Sequence, residues 1–299
     1  MEEYDVTVIG AGPAGITAGI YAARYNLKTL IITENIGGWL TEIDKIENYP
    51  GFPSIKGQEF AEKLKEHLKK FNVPIVTEDI RKLGMQDNKF IIETEKRKIR
   101  TKTMILAMGT KERKLQVPGE DEFLGKGVSF CATCDGFFFQ DKVVAVVGGS
   151  DSACVNADML TQFAKKVYII YRGEKLRAEP WNIERVTKNS KIKIIYKTNI
   201  TEIKGDKFVK EIVLDSGKTM PVDGVFIAIG SIPNSVFCEE VGIECNEAGY
   251  IKTDNLQKTN VEGVYAAGDI TSSTPLRQVI TAASQGAVAA NQAYQHIKR

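Results

Sequence analysis

Cys131-Ala132-Thr133-Cys134-Asp135 is the segment of this 299-residue chain best suited to chemistry. Two thiols three positions apart can close on each other in a small ring, and such a disulfide is a reactive one. Asp135 follows at once and is placed to move a proton to or from a departing thiolate. The chain has only two histidines, His67 and His296, and no second Cys-x-x-Cys. A zinc cage would lack ligands, so no metal is expected. Cys154, Cys238 and Cys245 have no partner close in sequence and read as small buried hydrophobes.

The second candidate is Gly10-Ala11-Gly12-Pro13-Ala14-Gly15. Glycines in this spacing allow a tight turn, a close approach of backbone N–H groups to a pyrophosphate, and close packing of helix on strand. Glu34 lies about 20 residues on, where a carboxylate takes a ribose hydroxyl. A degenerate copy begins 138 positions later, at Gly148-Gly149-Ser150-Asp151-Ser152-Ala153. Ser150 stands where the second glycine should be, and its Cβ is expected to restrict a pyrophosphate. Arg172 and Arg177 replace the acid, which suits a 2′-phosphate.

These sites need a scaffold that holds glycine turns between strands and helices. Tyr4–Ile9 reads as a strand, Ile16–Arg24 as a helix and Thr29–Ile32 as a second strand, which makes a βαβ unit. Residues 56–71 read as an amphipathic helix with Phe60, Leu64, Leu68 and Phe71 on one face. Short strands follow over 75–104. The pattern then repeats: strand 142–147, helix 154–163 and strand 166–171, with short strands at 192–196 and 208–214. An internal repeat of this kind predicts two related domains, as does the length. An Ala-rich helix is expected over 276–296.

Composition narrows the function classes. Lys+Arg is 40 against 38 for Asp+Glu, a net charge of +2, so no chain-wide basic footprint for nucleic acid exists. The apolar runs fall far short of the ~20 residues a membrane helix needs. The acidic Met1-Glu2-Glu3 start leads straight into a strand, so no signal peptide and no membrane partner are expected, and the cytoplasm is the expected compartment. Two dinucleotide sites beside a dithiol suggest a relay. A hydride passes from an exchangeable nicotinamide to a bound flavin, then an electron pair passes to a disulfide, and the dithiol reduces a partner.

The chain closely resembles the low-molecular-weight thioredoxin reductases over essentially its whole length. The resemblance is carried by Gly10–Gly15, Ile46-Glu-Asn-Tyr-Pro-Gly51, Val117-Pro-Gly-Glu120, Cys131-Ala-Thr-Cys-Asp-Gly136, Gly230-Ser-Ile-Pro-Asn234, Tyr265-Ala-Ala-Gly-Asp269 and Arg277-Gln278. It implies an α/β fold of two Rossmann-like, three-layer ββα domains, the second inserted into the first. The FAD-binding domain would span 1–113 and 243–299, and the NAD(P)H-binding domain with the redox pair 114–242. It implies FAD contacts from Gly10, Gly12, Pro13, Ala14, Gly15, Glu34, Gly38, Trp39, Leu40, Asn48, Gly109, Gly268, Asp269, Arg277 and Gln278. Gly148, Gly149, Ser150, Asp151, Ser152, Ala153, Arg172, Arg177 and Gly230 would serve the nicotinamide nucleotide. In the family the cysteine matching Cys134 lies against the flavin, the one matching Cys131 attacks the thioredoxin disulfide, and the aspartate matching Asp135 is the acid. Family members are homodimers whose domains rotate against each other.

Several positions depart from that pattern. Trp39 replaces a glutamine in Gly-Gly-Gln-Leu, and Met108 replaces a threonine. Ser150 replaces a glycine, and Tyr171-Arg172-Gly173-Glu174-Lys175-Leu176-Arg177 keeps two of three arginines. Losing one charged contact at roughly 1.5–3 kcal/mol weakens 2′-phosphate recognition by one to two orders of magnitude. NADPH and NADH both stand as donors. Two other readings stand beside the leading one, which is reduction of thioredoxin or a thioredoxin-like protein. One feeds the same core from reduced ferredoxin. The other is a nucleotide-responsive redox sensor without turnover, against which the Cys131/Cys134 pair argues.

Overall fold

The structure, a computed structural model, describes residues 1–43, 45–87, 89–235, 237–273 and 276–298. The chain divides into two compact units: Met1–Lys111 with Ile232–Arg299, and Glu112–Ser231. The first unit opens with β1 (Glu2–Ala11), α1 (Pro13–Arg24), β2 (Thr29–Ile36), α2 (Gly57–Lys69), β3 (Ile75–Thr77), β4 (Ile80–Gln86), β5 (Lys89–Thr94) and β6 (Lys98–Leu106). After a short strand β7 (Thr110–Glu112) the second unit holds β8 (Val128–Ser129), α3 (Ala132–Asp135), β9 (Val143–Val147), α4 (Asp151–Leu160), β10 (Lys166–Ile170), α5 (Pro180–Lys188), β11 (Ile192–Ile195), β12 (Ile200–Gly205), β13 (Val209–Leu214), β14 (Thr219–Pro221) and β15 (Gly224–Ile227). The chain leaves it through β16 (Ser231–Pro233) and completes the first unit with β17 (Val264–Ala266) and α6 (Val279–Ile297). The second unit therefore interrupts the first in sequence.

The expected return at residue 243 lies beyond the compact-unit boundary at Ile232. The difference has a physical cause. Cys238 is buried in a core of the first unit beside Ile243 and Ile251, and the Glu240 carboxylate accepts the Leu83 N–H at 2.8 Å.

In the first unit the sheet order is β3-β2-β1-β6-β5-β4, with β17 also paired to β6. β3, β2, β1, β6 and β17 run parallel, and β4 and β5 join antiparallel. Successive residues point to opposite faces, and both faces are buried, so the strands read as unbroken apolar runs. Val6, Val8, Ile31 and Ile105 pack under α1 and α6. Ile9, Leu30, Ile32, Met104 and Leu106 pack on the other side with Leu83, Phe90 and Ile92.

The second unit repeats the logic. Its parallel sheet is β11-β10-β9-β15-β8, and β12-β13-β14 form a separate antiparallel sheet. Val144, Val146, Val167, Ile169 and Phe226 face α4 through Ala153, Cys154, Ala157 and Leu160. Ala145, Val147, Ile170, Val225 and Ile227 face Ile200, Ile203, Val209 and Ile212. Among the described residues no helix is long and apolar enough to cross a membrane.

Candidate functional site

The first unit places its glycine turn between β1 and α1, and the second places its own between β9 and α4. Gly10 has φ +104°, and a Cβ there would fall 2.3 Å from the Ala107 carbonyl oxygen, so that turn demands glycine for the fold's own sake. Gly12 is different. It has φ −78° and ψ −172°, and a Cβ there would meet nothing within 4 Å. Among the described residues nothing requires a glycine at this position, which fits a space kept for a ligand's phosphate. Pro13 opens α1, where its missing N–H costs nothing. No side chain caps the helix and no acid stands in its first turn, so the positive end of α1 is free for an anion.

Two of the other expected flavin residues lie at that helix start. A Cβ at Gly38 would lie 3.5 Å from the Gly12 Cα, and one at Gly268 would lie 3.0 Å from the Ala14 Cβ. The Asn48 amide donates to the Gln278 side-chain oxygen at 3.0 Å, and Gln278 caps α6. Asp269 follows Gly268. Burial pushes its carboxyl pKa up, and the Arg277 charge opposes this. Arg277 stacks over the Tyr250 ring at 4.1 Å. Trp39 donates its indole N–H to the Thr110 carbonyl at 2.9 Å. Leu40 is buried with Ile46, Ile55, Phe60 and Ala61, so its side chain anchors the loop. Glu34 is exposed at the end of β2. Gly109 lies at φ +63°, and its carbonyl accepts the Asn234 N–H at 3.1 Å.

Gln285 escaped the sequence reading. Its side-chain oxygen accepts the Gly268 N–H at 2.7 Å and its amide donates to Ser273 Oγ at 3.0 Å. The available signal was a lone amide on the buried face of an alanine-rich helix, between Ala282 and Ala289.

In the second unit Ser150 takes φ −95° and ψ −178°, nearly the backbone of Gly12. The serine thus meets no conformational strain, and its hydroxymethyl is what distinguishes this position from Gly12. Gly148 has φ +145° and repeats the demand seen at Gly10. Asp151 turns its carboxylate to the start of α5, accepting the Glu179 N–H and the Asn182 amide, both at 2.7 Å. Ser152 is exposed, and Ala153 is fully buried where the third glycine would stand. Pairing aligns Ile9 with Ile32 and Val147 with Ile170. Counting on from there, Glu34 and Arg172 occupy equivalent places at the ends of β2 and β10. Arg172 and Arg177 are exposed, and the Arg177 N–H donates to the Gly149 carbonyl at 2.7 Å. The Gly230 carbonyl accepts the Arg113 N–H at 3.0 Å.

Cys131 and Cys134 form a disulfide with their Cα atoms 5.3 Å apart. Cys131 caps α3, and its sulfur accepts the Cys134 N–H at 3.1 Å. Ser129 Oγ accepts the Cys131 N–H at 3.0 Å and fixes the approach. Cys134 is exposed, whereas Cys131 and Asp135 are half-buried. Phe137 and Phe138 follow at 54% and 62% exposure, with ring centroids 3.9 Å apart.

Of the remaining cysteines, Cys154 is buried, and burial pushes its thiol to about 11. Cys238 and Cys245 depart from the expectation of isolated thiols. Burial and a hydrogen bond with the Cys245 side chain hold Cys238 at about 12. The turn through Gly242, at φ +69°, brings the two together.

The family model of the pyridine nucleotide-disulphide oxidoreductases matches residues 4–286. The chain belongs to the pyridine nucleotide-disulphide oxidoreductase family. Within that family it is 42% identical to the thioredoxin reductase of Bacillus subtilis, over 98% of this chain and 94% of that one. It is 41% identical to the thioredoxin reductase of Treponema pallidum, over 99% and 97%. The crystal structure of Lactococcus lactis thioredoxin reductase in its FR conformation matches with a TM-score of 0.95 at 39% identity, covering 99% of each chain. As a pyridine nucleotide-disulphide oxidoreductase the chain is an enzyme with two Rossmann-like dinucleotide folds, working with FAD and NAD(P)H.

Proposed function

We propose that this chain is a thioredoxin reductase that carries electron pairs from a nicotinamide nucleotide, through FAD, to the Cys131–Cys134 disulfide and on to thioredoxin or a thioredoxin-like protein. The observation that carries the reading is the disulfide at an exposed turn of the second unit, followed at once by the exposed Phe137/Phe138 pair. An exposed aromatic pair beside a reactive sulfur suits a protein substrate. Gly12, Gly38, Gly268, Asp269 and Gln278 would hold FAD; Ser150, Arg172 and Arg177 would hold the nucleotide. Bound there, the two cofactors supply hydride transfer and an electron pair that opens the disulfide.

The residues then do the rest. The Cys134 N–H aimed at the Cys131 sulfur favours its thiolate. That thiolate attacks one sulfur of the partner's disulfide, forming a mixed disulfide and releasing the partner's other sulfur as thiolate. Cys134 then attacks Cys131, re-forms the ring bond and releases the second partner thiol. Asp135 takes the Cys134 proton and passes one to the departing sulfur. Arg172, standing where the first unit has Glu34, favours NADPH over NADH as donor. The same reading has the chain acting as a cytoplasmic homodimer, as the family resemblance implies.

Anaerobic addition of NADPH, NADH or reduced ferredoxin to the FAD-loaded protein tests the donor. Bleaching by NADPH at lower concentration than by NADH is expected. Bleaching by ferredoxin alone would overturn the nucleotide assignment.

A further inference from the structure

Tyr171 is only 7% exposed, although it opens the loop that carries the two arginines. Its ring lies between two glycines. A Cβ at Gly149 would fall 2.6 Å from the ring's Cγ, Cδ2 and Cε2. A Cβ at Gly173 would fall 2.6 Å from Cε1, 2.8 Å from Cζ and 2.9 Å from the hydroxyl oxygen. At both glycines a side chain would collide with this ring. One belongs to the nucleotide turn and the other to the arginine loop. Leu176 is buried in the same core, and the Arg177 N–H bonds the Gly149 carbonyl. The first unit solves the same place differently: Thr33 is the equivalent of Tyr171, and its Oγ1 accepts the Ala11 N–H at 3.2 Å.

We infer that Tyr171 is a positioning residue for recognition of the donor's 2′-phosphate, its ring holding the loop from Arg172 to Arg177 against the turn at Gly149. The inference rests on the nucleotide-donor reading above. Arg172 and Arg177 are long and exposed, and a free loop would have to order them on binding. A ring gripped by Gly149 and Gly173 settles that ordering beforehand. The contact is ring against backbone, so phenylalanine preserves it, whereas alanine removes it. A methyl at Gly173 dislodges the ring without touching either arginine.

The test is calorimetric binding of adenosine 2′,5′-bisphosphate and of 5′-AMP to the FAD-loaded full chain, as wild type, Tyr171→Phe, Tyr171→Ala and Gly173→Ala. Tyr171→Phe should match wild type. Tyr171→Ala and Gly173→Ala should each bind the bisphosphate about 10-fold or more weakly, the size of a lost charged contact. Binding of 5′-AMP should change far less. In turnover the KM for NADPH should rise while kcat at saturating NADPH holds. Thiol–disulfide exchange from dithionite-reduced enzyme should be unaltered. An unchanged ratio of the two affinities in Tyr171→Ala and Gly173→Ala overturns the inference alone, as does equal loss of both ligands. Failure of the wild type to bind either ligand overturns the donor reading and the inference with it.

Discussion

At the start of α1 the backbone of Gly12 runs at φ −78° and ψ −172°; at the start of α4 that of Ser150 runs at φ −95° and ψ −178°. Both helices begin without a side-chain cap, on a parallel strand buried on both faces. The turns differ in what fills them. The first leaves open space at Gly12 and packs so closely at Gly15 that a Cβ would fall 1.9 Å from the Gly10 carbonyl oxygen. The second carries a hydroxymethyl at Ser150, accommodates a methyl at Ala153, and closes over the Tyr171 ring. A resident cofactor suits the open, tightly packed turn, and an exchangeable nucleotide suits the fuller one. The comparison separates glycines that serve the fold from glycines that serve a ligand.

Substitutions along the two turns test that separation. The largest effect is expected at Gly15→Ala, whose methyl collides with backbone that cannot move aside. A loss of about 3 kcal/mol or more should appear in chemical denaturation of the FAD-stripped protein. At the equivalent place Ala153→Gly should cost only about 1 kcal/mol. Next in size is Gly12→Val. The stripped protein should melt as wild type does, yet its FAD affinity, measured by fluorescence, should fall on the order of 10- to 100-fold. Equal damage to folding from Gly12→Val and Gly15→Ala would erase the distinction.

Ser150→Gly sharpens the comparison from the other side. Removing the hydroxymethyl should tighten NADPH and NADH alike by roughly threefold, since one small group leaves an unstrained turn. The smallest effect concerns pH. Burial raises the Asp269 pKa in the folded chain above its unfolded value, so the folded state binds this proton more tightly. The stability this gives is fully present below the unfolded value of 3.8 and declines as pH rises through the folded pKa. FAD-stripped Asp269→Asn should therefore melt above wild type at pH 7 and lose that advantage in acid. It should also hold FAD less tightly. A wild-type protein that gains stability between pH 4 and 7 relative to Asp269→Asn would contradict the sign.

Much of this was legible in the chain. Alternation hidden inside continuous apolar runs, such as Val6–Ile9 and Val143–Val147, marks strands covered on both faces. The two glycine turns and the Cys131–Cys134 spacing are local features, and local features read directly. What escaped the reading depends on contacts between distant segments. Gln285 reaches the Gly268 turn from the second turn of α6. Cys238 meets Cys245 only because the chain turns at Gly242. Gly149 has a second reason to be glycine, the Tyr171 ring against it, which only the structure shows. At Ser150 the sequence shows the Cβ that narrows a pyrophosphate's approach, but not that the backbone there is one any residue adopts.

The central claim is that electrons from a nicotinamide nucleotide emerge at Cys131 and Cys134. The direct measurement is anaerobic treatment of the FAD-loaded protein with an excess of NADPH, enough for the two electrons of the flavin and the two of the disulfide, followed by alkylation and peptide mass analysis. The account predicts bleaching of the flavin band and two new alkylated sites, Cys131 and Cys134, both of which disappear when oxidised thioredoxin is added in place of further NADPH before the alkylating agent. A protein whose flavin is reduced while Cys131 and Cys134 stay bonded, or whose new thiols appear elsewhere, would contradict it.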